Sequence, residues 1–154
     1  KQGAAREGYG SIMATGDNAT TLHYTFNDCE IKDGDLILID AGGEYNFYTG
    51  DITRTFPANG KFNDIQKELY EKVLKLQNQL IESVQPGVTF KQLNDMAIEG
   101  LVDIMLHYGL LKAPPQEIIK EGYYKKYYPH GIGHWLGIDV HDMQDCRYCK
   151  EDRK

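Results

Sequence analysis

No apolar run in this sequence approaches the roughly 18 residues that a membrane-spanning helix requires, so a helical membrane span is not expected. Positive charge is scarce as well. Seventeen Lys and Arg stand against 23 Asp and Glu, for a net charge of −6, which argues against a nonspecific nucleic-acid footprint. Cysteine is sparse and odd in number: Cys29, Cys146 and Cys149 make no even disulfide framework, and this favours a reducing, cytoplasmic setting. No secretory leader is read at its start, and no initiator Met. Cys146 and Cys149 form a lone CxxC in a charged tail. A structural zinc site uses four ligands and no second pair is present, so free thiols in a polar loop are the expectation. What remains is a chain of 154 residues, 41% hydrophobic and 26% charged, enough for one domain with one core.

The first third reads as strands. Residues 8–13 and 20–25 predict short strands about a turn at Gly16-Asp17-Asn18, and Asp33-Gly34 predicts a second turn. A strand at 35–40 follows, then Gly42-Gly43 and more strand material to Phe56. The middle reads as helices. Asn63 or Asp64 caps a helix with Ile65, Leu69, Val73, Leu76, Leu80 and Val84 on one face, ended by Pro86-Gly87. Thr89 and Gln92 have capping-box spacing before a second helix carrying Leu93, Met96, Ala97, Leu101, Ile104 and Met105, with Gly109 as its C-terminal stop. Pro114 and Pro115 start a third helix, about 115–121, and the tyrosine-rich 123–129 segment predicts a strand or loop edge. Strands followed by antiparallel helices make an α+β pattern.

The chain's most unusual stretch runs from 36 to 57. An apolar run, 36–39, ends on Asp40, and a carboxylate there is costly to bury unless a cation or donors meet it. Asp51 lies eleven residues on, and the simplest proposal is that the two share a metal. A tight hairpin at Gly42-Gly43 would leave Asp51 roughly 20 Å along a straight strand, so the chain must fold back or bulge near 46–50. The alternative is an exposed Asp51 paired with Arg54. The second unusual stretch, 129–142, holds His130, His134 and His141 among Gly131, Gly133 and Gly137. His134 and His141 would face opposite sides of an extended strand, so a bend near Gly137 is needed to join them. Such a loop is often only solvated. Beside the aspartate pair it suggests a centre of hard oxygens plus imidazole, suited to Mn, Co, Zn or Fe. His107, late in the second helix, reads as structural.

Three stretches carry a family resemblance: Leu-Ile-Asp-Ala-Gly at 38–42, Asp-Ile-Thr-Arg-Thr-Phe-Pro-Ala-Asn-Gly-Lys-Phe at 51–62, and Gly-His-Trp-Leu-Gly-Ile-Asp-Val-His-Asp at 133–142. Leu22-His23-Tyr24 followed by Asn27 fits too. Together they resemble the aminopeptidase P and prolidase branch of the pita-bread metallopeptidases, with aminopeptidase P the nearer. The resemblance implies a pita-bread fold, a curved antiparallel sheet covered by helices. It implies two divalent metal ions, manganese by family habit, with Asp40 on one, Asp51 bridging both and His134 on the second. It also implies that His23, His130 and His141 line the substrate pocket and assist the tetrahedral intermediate and proton transfer. The implied reaction removes the N-terminal residue from peptides whose second residue is proline, and family members are often homo-oligomers. Five metal ligands are usual, the last two being glutamates, the first of them in a Glu-Pro-Gly motif that is not found here. The expectation is a partial catalytic domain over 1–154, lacking the N-terminal domain and the glutamate-bearing strands, with little activity alone. Prolidase, and a non-catalytic pita-bread module binding peptides, histones or RNA, are the alternatives.

Overall fold

The computed structural model describes residues 3–143, so Cys146 and Cys149, and the free-thiol reading of them, lie outside the described residues. Two compact units form. One joins residues 3–63 with 134–143, and the other is Asp64–Gly133.

In the first unit β1 (Arg6–Glu7), β2 (Ile12–Thr15), β3 (Leu36–Asp40), β4 (Gly43–Tyr45), β5 (Tyr48–Thr49) and β6 (Thr53–Pro57) make two antiparallel sheets, ordered β1-β4-β5 and β2-β3-β6. Alternation along β2 buries Ile12 and Ala14 and leaves Met13 half exposed; with Tyr24 the two inward residues form this unit's core. Thr15 closes the strand, its buried hydroxyl donating to the Leu36 carbonyl at 3.0 Å.

The strand expected at 20–25 is not there. Gly16–Thr20 is a 3₁₀ helix and residues 22–25 have no regular structure. The reason is that the free edge of β2 is met by a side chain. Met13 N donates to Asn27 Oδ1 at 2.7 Å and Asn27 Nδ2 donates to the Ser11 carbonyl at 2.9 Å. One amide side chain thus answers both the donor and the acceptor that a further strand would have paired.

The helical unit holds α1 (Asp64–Glu82), α2 (Phe90–His107) and α3 (Pro115–Glu121). The capping box of α2 is formed, with Gln92 N donating to Thr89 Oγ1 at 3.1 Å and Thr89 N to Gln92 Oε1 at 2.8 Å. Gly109, at φ +64°, takes the left-handed turn after it. The stripe expected on α2 is narrower than the face the helix buries. Ala97 and Met105 are buried, but so are Ile98 and Val102, while Met96 is 40% exposed. α2 serves two neighbours: Gly100 lies against Leu76 of α1, while Ile98 and Val102 pack on Ile118 of α3. Residues 123–126 form a 3₁₀ turn rather than a strand or loop edge, because Tyr124 and Tyr128, four apart, pack onto that same cluster. α1 keeps its apolar stripe yet buries none of its residues.

Candidate metal centre

The expected fold-back between the two aspartates is a small hairpin. β4 and β5 are joined by Asn46 and Phe47, both at positive φ (49° and 70°), and pair Tyr45 with Tyr48. The chain then returns, and β6 lies against β3 with Asp40 opposite Thr53, two residues past Asp51. Gly42 and Gly50 meet where the hairpin leaves the sheet. A Cβ on Gly42 would lie 1.7 Å from the Gly50 carbonyl oxygen, so only glycine fits.

The 133–142 segment joins the same unit through Thr49, whose N and Oγ1 both donate to the Gly137 carbonyl, at 2.9 and 3.1 Å. The bend predicted at Gly137 is present: Asp142 N donates back to the Trp135 carbonyl at 3.1 Å. A Cβ on Gly137 would lie 1.5 Å from Asp142 Oδ2, which explains the glycine. The bend sets the His134 and His141 rings edge to face, 4.1 Å between centroids, and His23 stands 5.8 Å beyond His141.

His134 Nε2 lies 3.0 Å from Asp51 Oδ2. Asp51 therefore has His134 and not Arg54 as its partner; Arg54 donates to the Thr53 carbonyl. Tyr9 joins the two carboxylates. Its hydroxyl donates to Asp40 Oδ1 and also lies 3.1 Å from Asp51 Oδ1. Burial first, and the hydrogen bond to Asp40 next, hold the Tyr9 hydroxyl well above the usual phenol range, so it stays a protonated donor. Sequence reasoning missed Tyr9. The signal was a tyrosine between Gly8 and Gly10 in a stretch otherwise read as strand, since a phenol oxygen drawn even partly out of water needs a partner. His130 belongs to the helical unit, where with Tyr128 and Ile132 it lines an apolar cleft of about 520 Å³ along α1 and α2.

In kind the donors suit a divalent transition ion: two carboxylates and an imidazole in adjacent contact, with no Lys or Arg partnering either aspartate among the described residues. They are an opened set, bonded to each other and to Tyr9, and among the described residues no three His, Cys, Asp or Glu groups stand close enough to enclose an ion. Asp40, Asp51 and His134 thus fit part of a metal shell.

The model of metallopeptidase family M24 matches residues 1–154. The Xaa-Pro aminopeptidase of Haemophilus influenzae is 53% identical over 139 residues, 88% of this chain and 31% of that protein. The Escherichia coli Xaa-Pro aminopeptidase is 42% identical over 143 residues, 93% of this chain and 32% of that protein. Among solved structures, zinc-substituted E. coli aminopeptidase P in complex with product superposes with a TM-score of 0.90 at 41% identity, covering 99% of this chain and 34% of that one. The chain thus spans about a third of the length of the relatives it matches. It has part of the pita-bread fold of aminopeptidase P.

Proposed function

The chain belongs to metallopeptidase family M24, and from that premise we propose that it supplies part of the metal centre of an enzyme that removes the N-terminal residue from peptides with proline second. One observation carries this reading: Asp40, Asp51 and His134 converge within one unit, with His141 and His23 ranked behind His134. The names of the H. influenzae and E. coli relatives support the substrate class.

Asp40 would hold one ion, Asp51 would be shared by two, and His134 would hold the second. Manganese is the proposed ion; zinc, cobalt and iron suit the same donors. When bound, such ions supply Lewis acidity toward a peptide carbonyl and toward water. The chain's own residues do the rest. The carboxylates offset cationic charge, while His141 and His23 offer ring N–H donors where negative charge develops on the substrate carbonyl. His130 is assigned to the substrate wall by its motif alone. Further acidic ligands and a general base are assigned by resemblance to two glutamates, the first within Glu-Pro-Gly, which this sequence does not contain. The 154-residue chain is thus proposed to be a partial catalytic domain that binds metal but turns over Xaa-Pro peptides slowly or not at all. A cytoplasmic setting is proposed from the odd cysteine count; among the described residues no helix is long and apolar enough to cross a membrane.

Two measurements on the chain test this. Titration calorimetry with manganese should show binding that Asp51→Asn abolishes, and hydrolysis of an Xaa-Pro tripeptide should stay far below that of a full-length relative. Absence of manganese binding would overturn the centre. Turnover near the full-length rate would overturn the partial-domain reading.

A further inference from the structure

Tyr9 stands on the bend between β1 and β2, outside every motif that carries the family resemblance. Three features fix it. Gly8 N donates to the Gly42 carbonyl at 2.9 Å, tying the bend to the base of the hairpin. The absence of a Cβ at Gly42 leaves room for the ring, since one there would lie 2.8 Å from Tyr9 Cε1. The hydroxyl reaches Oδ1 of both Asp40 and Asp51.

A phenol has one proton and so donates to one carboxylate at a time. With the proton on Asp40, the second carboxylate faces the phenol oxygen and is held by its other oxygen, Oδ2, at His134 Nε2. The result is an ordered row, Asp40–Tyr9–Asp51–His134. In it two carboxylates are kept close, each with its Oδ1 at the same phenol oxygen. Left alone, two neighbouring carboxylates repel and splay.

We propose that Tyr9 is a positioning residue of this centre: its hydroxyl sets the spacing and orientation of Asp40 and Asp51 before a divalent cation arrives. The inference rests on the metal-centre reading above and adds to it a residue that need not touch the ion. Groups that orient metal ligands from outside commonly change affinity by about 10–100-fold when removed.

Tyr9→Phe removes one oxygen and keeps the ring. The test compares the parent chain with Tyr9→Phe by manganese titration calorimetry, by electron paramagnetic resonance of bound Mn(II), and by urea unfolding followed through Trp135, the chain's single tryptophan. The expected result is a manganese Kd raised about tenfold or more with an altered Mn(II) spectrum, while the urea midpoint stays near that of the parent. A Tyr9→Phe chain that binds manganese within about twofold of the parent, with the same spectrum, would overturn the role of Tyr9 and leave the metal centre intact. A parent chain that binds no manganese would overturn both. A Tyr9→Phe chain that no longer folds would also overturn the assignment, because the hydroxyl would then support the sheet rather than the carboxylate pair.

Discussion

Gly42→Ala is the sharpest perturbation the structure offers. The added methyl would sit 1.7 Å from the Gly50 oxygen, 2.6 Å from the Gly50 carbonyl carbon and 2.8 Å from Tyr9 Cε1. Two of these are backbone atoms, so no side-chain rotation relieves the clash, and reaching an ordinary contact moves the Gly50 segment by more than about 1 Å. That shift strains two hydrogen bonds flanking the contact, Gly50 N to the Gly43 carbonyl at 2.9 Å and Ala41 N to the Ile52 carbonyl at 3.0 Å. Overpacking costs about 1–3 kcal/mol, and each weakened hydrogen bond about 0.5–1.5 kcal/mol. The restricted unfolded chain returns about 0.4–1 kcal/mol. The net is a loss of about 1–5 kcal/mol, or roughly 0.5–3 M in urea midpoint at a slope near 2 kcal/mol per M. Trp135 fluorescence reports it, since that residue lies in the same unit. Gly10→Ala is the control. Nothing lies within 4 Å of its would-be Cβ and its φ is ordinary, so it should be neutral or stabilise by up to about 1 kcal/mol. Equal midpoints for the two variants would refute the steric argument, and with it the reading that only glycine fits at position 42.

In the helical unit, Ile118 and Val102 are fully buried, so Ile118→Ala should cost about 2–4 kcal/mol in urea unfolding. Ile65→Ala, at a position 71% exposed, should stay within about 0.5 kcal/mol; similar losses for both would contradict the described core. Glu68, held below its ordinary carboxylate value of 4.5 by the hydrogen bond to His107, should titrate below 4.5 by carbon NMR and rise toward it in His107→Ala. Because the folded value is the lower one, whatever the pair contributes is present above pH 4.5 and is lost as the pH falls through the folded pKa. An unchanged titration in His107→Ala would remove His107 as the cause.

The aspartates and histidines were legible because a charge after an apolar run, and histidines among glycines, are out of place unless something gathers them. The geometry joining them was legible too. Strand rise alone demanded a fold-back between Asp40 and Asp51 and a bend at Gly137, and both are present. What escaped was whatever depends on a partner distant in sequence. Tyr9 looks like one more strand residue until Asp40 and Asp51, 31 and 42 positions away, come to it. Residues 22–25 have strand composition but lose their edge to Asn27. α2 has one hydrophobic stripe by periodicity but two neighbours in space.

The sheet unit is discontinuous: Asp64–Gly133 is spliced into it between β6 and the segment bearing His134. During synthesis both carboxylates and Tyr9 therefore emerge and can settle well before their imidazole. At about 5–20 residues per second, some 70 residues of helix and loop delay His134 by roughly 4–14 s. Over that interval the nascent chain presents an aspartate pair braced by a phenol, with the imidazole that meets Asp51 still to come. On the proposed metal reading, His134 thus reaches the carboxylates later than the strands that carry them are made.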